Sequence, residues 1–182
     1  MNIWAVQAKG YREKGTGLQA LGKFLEDGYV GIGWLKLGDI SNIRDDVEAL
    51  WDRLDHVTDA ADESDSDWTT KRRNQWIGQS AGLVHRFASE MKAGDLVIFP
   101  TTHVDRCFHI GIVTGPYRHA PGFDDEYTHL RPVKWLRKLN RDDLTAESKR
   151  KLTFRKSFCR VHDLNNELRK VLKEAASGVL GA

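Results

Sequence analysis

The sequence predicts an α+β fold built on a small curved sheet or barrel. The chain has 182 residues, which is close to the usual size of one domain. Five or six short segments have strand-like patterns and alternate with three or four helical ones. The strand-like segments are concentrated in the second half. Hydrophobic residues make up 40% of the chain, which is enough for one good core.

The first part of the chain predicts two strands separated by a helix. Asn2–Ala8 is apolar and β-prone, which predicts the first strand. The glycine-rich stretch Lys9–Gly17 predicts a loop. A helix follows and Gly28 ends it. Tyr29–Leu35 predicts the second strand. The apolar helix face consists of Leu18, Leu21, Phe24 and Leu25.

Two longer helices are predicted next, with a polar loop between them. Asp39 or Ser41 caps the first of these helices, which runs to about Leu54. Residues 55–73 are polar and acidic with little periodicity, which predicts a mobile loop. The second helix begins around Gln75. Its apolar stripe consists of Leu83, Val84, Phe87 and Met91.

The remaining chain predicts three strands and a last helix. Leu96–Pro100 and Phe108–Thr114 predict adjacent strands. Tyr127–Leu136 contains a proline, so it predicts an edge or bulged strand. Thr153–Val161 predicts the last strand, and Asn165–Ala176 predicts a polar amphipathic helix.

Composition excludes several classes of protein. No stretch approaches the about 18 apolar residues of a membrane span, and the start of the chain lacks the pattern of a signal peptide. The two cysteines, Cys107 and Cys159, cannot form a disulfide framework or a four-thiolate zinc site. We therefore expect a cytoplasmic protein without a membrane partner.

Charge is unevenly distributed along a chain whose net charge is only +2. Asp59–Asp67 carries five acidic residues and no base. From Arg106 to Arg160 there are 13 Lys and Arg against 6 Asp and Glu. This basic sector indicates either a face that meets a polyanion or chance clustering on a solvated surface.

No motif supports an enzyme, a cofactor or a metal site. The metal-binding spacings HxxxH, CxxC and HExxH do not occur. His103, His109 and His129 fall in the strand-rich half, but surface or hydrogen-bonded histidines explain them better than ligands. Glu147-Ser148-Lys149 has the E-x-K form of many restriction nucleases. Its acidic neighbours lie in the same helical segment, whereas a nuclease core places them on different strands.

Six tryptophans are many for this length, and packing alone explains most of them. Trp34 follows two strand glycines. Trp68 and Trp76 flank the basic stretch Lys71–Arg73 without an obvious role in a core. Aromatic faces beside basic groups suit base stacking and phosphate contact, and a pocket for an extruded base needs such faces plus a few polar groups.

Five motifs occur in order over residues 2–161. Together they resemble the EVE-type, PUA-like modified-base-binding domains, most closely the amino-terminal domain of Mrr-type modification-dependent restriction proteins. The motifs are Ile3-Trp4; Gly31-Ile32-Gly33-Trp34 with Gly38-Asp39-Ile40-Ser41; Arg86-Phe87-Ala88 with Lys92-Ala93-Gly94-Asp95-Leu96-Val97 and Pro100; Ile110-Gly111-Ile112-Val113-Thr114-Gly115-Pro116-Tyr117; and His129-x-Arg131-Pro132-Val133-Lys134-Trp135-Leu136.

The resemblance implies a curved β-barrel of five to six strands flanked by helices, in a wider group with the YTH and ASCH domains. It implies a modified-base-binding domain over residues 1–161. A C-terminal helix and tail, residues 162–182, would then either link to an effector such as a nuclease domain or end a stand-alone reader. The acidic segment before residue 70 looks longer than the family's connection and would be either a pocket cover or a surface insertion.

The implied function is a non-catalytic DNA reader that flips a modified base, foremost a modified cytosine such as methylcytosine, in restriction-modification or phage defence. The alternatives are an RNA reader of a modified base and a sensor of a free nucleotide or nucleoside. The implied base pocket consists of Trp34, Asp39, Phe99 and Tyr117. The residues expected to contact the nucleic-acid backbone are Lys71, Arg72, Arg73, Trp76, Arg118, Arg131 and Lys134.

Overall fold

A computed structural model shows a mixed α+β fold with a curved sheet of six strands. It describes residues 1–7, 22–59, 70–101, 105–124, 126–154 and 156–180. These residues form two compact units. Unit 1 contains the described residues of Met1–Gly31, Lys92–Pro116 and Arg131–Ala182, and unit 2 contains those of Ile32–Met91 and Tyr117–Leu130. The division into these two units does not test the predicted domain boundary at residue 161.

The strands follow one hydrogen-bonded path with one addition. Within the described residues they are β1 (Ile3–Val6), β2 (Tyr29–Ile32), β3 (Leu96–Pro100), β4 (Cys107–Val113), β5 (Arg118–His119), β6 (His129–Asn140) and β7 (Phe158–Arg160). Their order is β2-β6-β4-β3-β1-β7. Only β1 and β3 pair in parallel among the recorded registers. β5 pairs with the first two residues of β6 inside unit 2.

Residues 22–26 are helical in the described part of the chain, followed by Gly28 with a φ of 70° as the sequence predicts. Four further helices accompany the strands there. They are α1 (Val47–Asp59), α2 (Thr70–His85), α3 (Ala146–Lys151) and α4 (Asn166–Leu180). A π-helical turn, Arg86–Glu90, extends α2, and short 3₁₀ turns occur at Leu35–Leu37 and Arg141–Asp143. Unit 1 contains α3 and α4, and unit 2 contains α1 and α2.

The predicted strand Leu96–Pro100 is confirmed, residue for residue. The predicted start of the helix after the second strand is wrong. Asp46 caps α1, because its carboxylate accepts hydrogen bonds from the backbone N–H groups of Glu48 and Ala49, both at 3.0 Å. Asp39 instead accepts from Ser41 in a local turn.

The predicted loop over residues 55–73 is also wrong at both ends, since α1 continues to Asp59 and α2 begins at Thr70. The rest of that prediction lies outside the described residues, as do the predicted loop Lys9–Gly17 and the helix positions Leu18 and Leu21. The apolar stripe predicted for the second helix is confirmed in part. Leu83 and Val84 lie on α2 and Phe87 lies on the π-helical turn, whereas Met91 follows the turn in extended backbone. All four of its residues are buried.

A buried carboxylate holds the start of β1 beside β3 in unit 1. Asp95 accepts hydrogen bonds from the backbone N–H of Asn2 at 2.7 Å, the indole Nε1 of Trp4 at 2.9 Å and the backbone N–H of Lys92 at 3.1 Å. Burial raises the pKa of Asp95, but these hydrogen bonds outweigh it and hold the pKa below its usual value. The charged form is therefore the one that the fold stabilises.

Helix α4 completes the core of unit 1. Its buried residues Leu168, Leu172 and Ala175 pack in one cluster with the strand residues Ile98 and Ile110. The spacing of three and four residues places them on one helix face. The C-terminal helix, predicted either to link to an effector domain or to end a stand-alone reader, thus contributes to this core.

A β-bulge between β4 and β6 leaves no room for a side chain at Gly111. Ile110 pairs with Arg137 but Gly111 pairs with Trp135, so β6 carries one extra residue there. A Cβ atom at Gly111 would lie 2.3 Å from Cγ1 of Val133 and 2.9 Å from Cε3 of Trp135. Only glycine fits this position without displacing β6.

We predict that Gly111→Ala lowers the free energy of unfolding by about 2 kcal/mol, as overpacking typically does. Urea denaturation measures this change. Gly78→Ala is the matched control, because a Cβ there meets only Nε1 of Trp51 at 4.0 Å and alanine suits an exposed helix interior. Equal stability of the two variants would contradict the close approach at the bulge.

Candidate functional site

A buried histidine lies at the centre of the residues that unit 2 brings together. His129 is 0% exposed. Its Nδ1 lies 2.7 Å from the hydroxyl of Tyr117, and its Nε2 lies 3.2 Å from the backbone carbonyl of Trp34. Because a carbonyl only accepts, Nε2 carries the proton and donates to Trp34. Nδ1 then accepts from Tyr117, so both ring nitrogens of a neutral imidazole are satisfied.

The environment of His129 favours this neutral form strongly. Burial lowers its pKa to about 4, although the Trp34 carbonyl acts in the opposite direction. A proton on Nδ1 would remove the acceptor that Tyr117 uses and would place a charge among buried groups. The hydrogen-bonded chain from Tyr117 through His129 to Trp34 therefore has one fixed direction at neutral pH.

Trp34 has an unusual backbone conformation that this chain helps to hold. Its φ of 70° lies in the left-handed region, which costs a residue with a side chain about 1–2 kcal/mol. The Trp34 carbonyl accepts from His129 and also from the backbone N–H of Leu37 at 2.9 Å. Strain of this kind persists only where the surroundings enforce it and is frequent at functional sites.

The indole of Trp34 is half-buried, and its Nε1 has no hydrogen-bond partner among the described residues. Gly33, immediately before it, lies close to the backbone carbonyl of Glu126, which would be 3.5 Å from a Cβ at that position. The loop that carries Trp34 is therefore packed closely on the segment leading into β6. An aromatic face and an N–H donor remain on a firmly held backbone.

Asp39 presents an oriented carboxylate. Its Oδ1 accepts from the backbone N–H and the hydroxyl of Ser41, at 2.9 and 2.6 Å. These hydrogen bonds lower the pKa of Asp39, with smaller contributions from the charges of His119 and His129. The residue is exposed, and its Oδ2 has no partner in the described part of the chain. One oxygen thus fixes the side chain while the other can accept from a ligand.

His119 is a member of this group that the sequence did not single out. It is half-buried and pairs directly with His129 across β5 and β6. The two imidazole rings are 5.5 Å apart, and the ring of Tyr117 stacks on His129 from 5.9 Å. Tyr117 and His119 are two residues apart, which places them on one face where the chain is extended, but nothing in the sequence indicates their partner.

Three of the four residues expected in the base pocket, Trp34, Asp39 and Tyr117, thus lie in one unit around His129. Tyr117 is only 5% exposed and acts on Trp34 through His129. The fourth, Phe99, belongs to unit 1 and is 0% exposed. Its ring packs against Phe24 at 5.8 Å and Trp135 at 5.9 Å. Its place in a pocket stays a prediction.

The residues expected to contact the nucleic-acid backbone differ widely in exposure. Arg131 is 3% exposed and donates to the carbonyl of Gly115 at 3.3 Å. Arg73 forms an ion pair with Asp55 and also donates to its carbonyl at 2.9 Å. The remaining members of the set are exposed: Lys71, Arg72, Trp76, Arg118 and Lys134.

The histidines considered as metal ligands have other environments where they are described. His129 uses both nitrogens within unit 2. His109, in unit 1, packs edge-on against Trp135 at 6.1 Å, and burial lowers its pKa. His103 lies outside the described residues. Across the described ranges, no three His, Cys, Asp or Glu residues are grouped to hold a metal ion.

The E-x-K motif is part of a capping network in unit 1. Glu147-Ser148-Lys149 lies on α3, where Thr145 is the N-cap. Ser148 is 0% exposed, and its hydroxyl bonds with Glu167 and Asn165. This arrangement joins the start of α3 to the start of α4.

Among the described helices, no stretch has the length and hydrophobicity of a membrane span.

We predict that His129 makes stability fall as the solution is acidified. Its pKa of about 4 in the folded state lies below the unfolded value of about 6.5, so the unfolded state binds more protons between these values. The contribution of His129 to the free energy of unfolding is fully present above pH 6.5 and declines by about 3 kcal/mol as the pH approaches 4. His129→Gln should be less stable at pH 7 but should lack this decline. Denaturant titrations across the range measure both profiles, and parallel profiles would contradict the prediction.

The comparisons with known proteins give a family but no activity. The chain matches no curated protein and no solved structure. A family model described as a domain of unknown function, DUF8426, matches residues 10–161. This range is well over half of the chain and includes the described residues of unit 2 together with much of unit 1. The chain therefore belongs to the DUF8426 family.

Proposed function

We propose that this protein is a non-catalytic, PUA-like reader of the EVE type that takes a modified base out of duplex DNA and stacks it on Trp34. The observation that carries the proposal is the Tyr117–His129–Trp34 hydrogen-bonded chain, which holds the strained backbone of the half-buried Trp34. The oriented carboxylate of Asp39 lies in the same unit. The resemblance to modified-base-binding domains supports the proposal. It also suggests a role in restriction or phage defence in the cytoplasm.

The energetics of base extrusion require a firmly held aromatic face. Unstacking and unpairing one base costs a few kcal/mol, and stacking on an aromatic side chain returns roughly 1–3 kcal/mol. A tryptophan that first had to be ordered would return less. The hydrogen bonds from His129 and Leu37 fix the backbone of Trp34 before any ligand binds, so the backbone part of this ordering cost is absent.

The chemistry of Asp39 favours a base with an exocyclic amino group. The carboxylate accepts hydrogen bonds only, since its lowered pKa keeps it ionised. Cytosine and adenine offer an amino donor, and acidic side chains accept from N4 of cytosine. Thymine and uracil offer a carbonyl oxygen there, which would repel a carboxylate. This supports a modified cytosine as the main target, with the modification against the apolar indole.

Affinity for the duplex itself must come from phosphate contacts, which dominate protein–DNA binding and weaken with salt. The exposed basic residues of the expected set serve this role in the proposal. They are Lys71, Arg72, Arg118 and Lys134. Arg131 and Arg73 are left out, because each guanidinium already bonds within its own unit.

We predict that the protein prefers one modified duplex by about tenfold or more, which corresponds to 1.4 kcal/mol. The duplexes are identical except for cytosine, methylcytosine, hydroxymethylcytosine or methyladenine at one position, and fluorescence anisotropy at fixed salt measures binding. Trp34→Ala should abolish the preference and leave weak, salt-sensitive binding. Trp34→Gly is the matched variant, because glycine adopts a φ of 70° without strain.

If both variants lose the preference for the modified duplex but remain folded, the preference depends on the indole of Trp34. A preference that survives in both would contradict the site. Equal binding of all four duplexes by the wild type would contradict the proposal itself. The same titration with single-stranded RNA and with free modified nucleosides then tests the two alternative functions.

A further inference from the structure

Unit 1 carries a group of cations that the proposed function does not use. They come from the loop before β4, the 3₁₀ turn Arg141–Asp143 and helix α3. The group lies in the part of the chain, from Arg106 to Arg160, where Lys and Arg outnumber Asp and Glu. We call it the basic cluster, and its members are Arg106, Arg141, Lys149 and Arg150.

Asp142 brings three of these cations together. Its carboxylate accepts hydrogen bonds from the guanidinium of Arg106 at 2.7 and 2.9 Å, and its backbone carbonyl accepts from Nζ of Lys149 at 3.3 Å. Arg141 precedes it in the chain and donates its backbone N–H to the carbonyl of Arg106 at 2.7 Å. The hydrogen bonds from Arg106 hold the pKa of Asp142 below its usual value, and the charges of Lys149 and Arg141 lower it further. The three cations therefore surround one point of the surface of unit 1.

The charges of the basic cluster do not cancel. Asp142 forms an ion pair with Arg106, and the other three cations have no ion pair in the described part of the chain. Asp143, exposed on the same turn, offsets one of them. The acid of α3, Glu147, pairs with Lys151 instead. Four positive charges against two negative ones leave a net charge of +2, although neighbouring like charges repel.

Arg106 is held in place before any ligand arrives. Its two hydrogen bonds to Asp142 use two of the five N–H donors of the guanidinium, and its side chain is still 65% exposed. A ligand that meets a side chain already held in this way avoids part of the entropy cost of ordering it. The backbone of Arg106 has a φ of 57°, which disfavours a residue with a side chain, and an exposed ion pair stabilises a fold little. Folding alone therefore does not explain an arginine here.

We infer that the basic cluster is a second DNA-binding surface, which holds backbone phosphates of a duplex and does not require the Trp34 site. Charge complementarity identifies a polyanion as the partner. Lysine and arginine neutralise the phosphates of DNA and release its counterions. The carboxylate of Asp142 already meets Arg106 through two parallel hydrogen bonds, which is also the way in which arginine binds a phosphate.

The composition of the basic cluster favours DNA over an anionic membrane. Segments that bind a membrane surface place tryptophan, phenylalanine or leucine beside their basic residues. The exposed large hydrophobic residues of the described chain are Met1, Val47 and Trp76, and none of them belongs to the cluster. Protein surfaces that bind DNA are polar and strongly positive. Phosphate contacts of this kind do not read the base sequence, so we expect the cluster to bind modified and unmodified duplexes equally.

The test is an anisotropy titration of a labelled, unmodified duplex at several salt concentrations. The double variant Arg141→Gln, Lys149→Gln should lower the slope of log affinity against log salt by about 1.8, because each phosphate contact contributes about 0.9. Its affinity at low salt should fall by about tenfold or more. Lys92→Gln is the matched control and should leave the slope unchanged. This exposed lysine of unit 1 lies before β3, at the opposite end of the β3–β4 pair from Arg106.

A second pair of variants tests the cluster in the opposite direction. Asp142→Asn removes a negative charge and frees Arg106 for phosphate, so duplex affinity at low salt should rise by about threefold or more. A structural role of Asp142 alone would give no such gain. Glu174→Gln is the matched control and should not raise duplex affinity, because it removes the carboxylate of another exposed ion pair of unit 1, with Arg137 at 3.2 Å. Circular dichroism confirms that each variant is folded.

An unchanged slope and affinity in the double variant would overturn the inference, as would an equal loss in Lys92→Gln. Binding to anionic phospholipid vesicles or to polyglutamate that exceeds binding to DNA and depends on the cluster would overturn it too. Failure of the proposed function remains distinguishable. Trp34 variants would remove the preference between modified and unmodified duplexes without changing the salt slope, whereas variants of the basic cluster would change the slope and keep that preference.

Discussion

The candidate site depends on one buried imidazole. His129 has no access to water, so an unsatisfied ring nitrogen would cost about 1–3 kcal/mol. Tyr117 and the carbonyl of Trp34 satisfy both nitrogens. The same two hydrogen bonds connect β5 and β6 to the loop after β2. Since only the neutral imidazole fits this arrangement, its burial also helps to hold the backbone conformation of Trp34.

The two units differ in what their notable residues contribute to the stability of the fold. In unit 1, the buried carboxylate of Asp95 holds β1 beside β3, and Gly111 leaves room for the side chains of β6. Unit 2 keeps a residue in a backbone conformation that opposes stability, namely Trp34 with its positive φ. Features that cost stability are the best indications of binding in a family whose function is unknown, because folding alone does not account for them.

The sequence predicts local structure better than it predicts which distant residues meet in the fold. An apolar run between turn signals was sufficient for β3. Periodicity found the buried residues Leu83 and Val84 of α2 but not the end of the helix, since Met91 lies beyond it. The start of α1 was wrong because Asp39 and Asp46 are equally good caps by type, and only Asp46 bonds to the helix. His129 and Trp34 lie 95 positions apart, and no local pattern reports a contact over that separation.

The sequence also does not show which charged residues of the expected site are exposed and which are buried. Arginines that contact phosphate and arginines that bond to a carbonyl look identical in the sequence, and burial separates Arg131 from Arg118 only in the structure. Tryptophan is similarly ambiguous. Trp4 is fully buried with its indole N–H on Asp95, whereas Trp76 is exposed, although both lie near basic residues.

The most direct test of the account is whether a base leaves the duplex when the protein binds. A duplex with 2-aminopurine beside a modified cytosine reports this by fluorescence, because the probe brightens when its neighbour is extruded and stacking is lost. The account predicts a rise on binding of the wild type and none with Trp34→Gly at saturating protein. Saturated wild-type binding with unchanged fluorescence would contradict it, because the modified base would then remain in the helix.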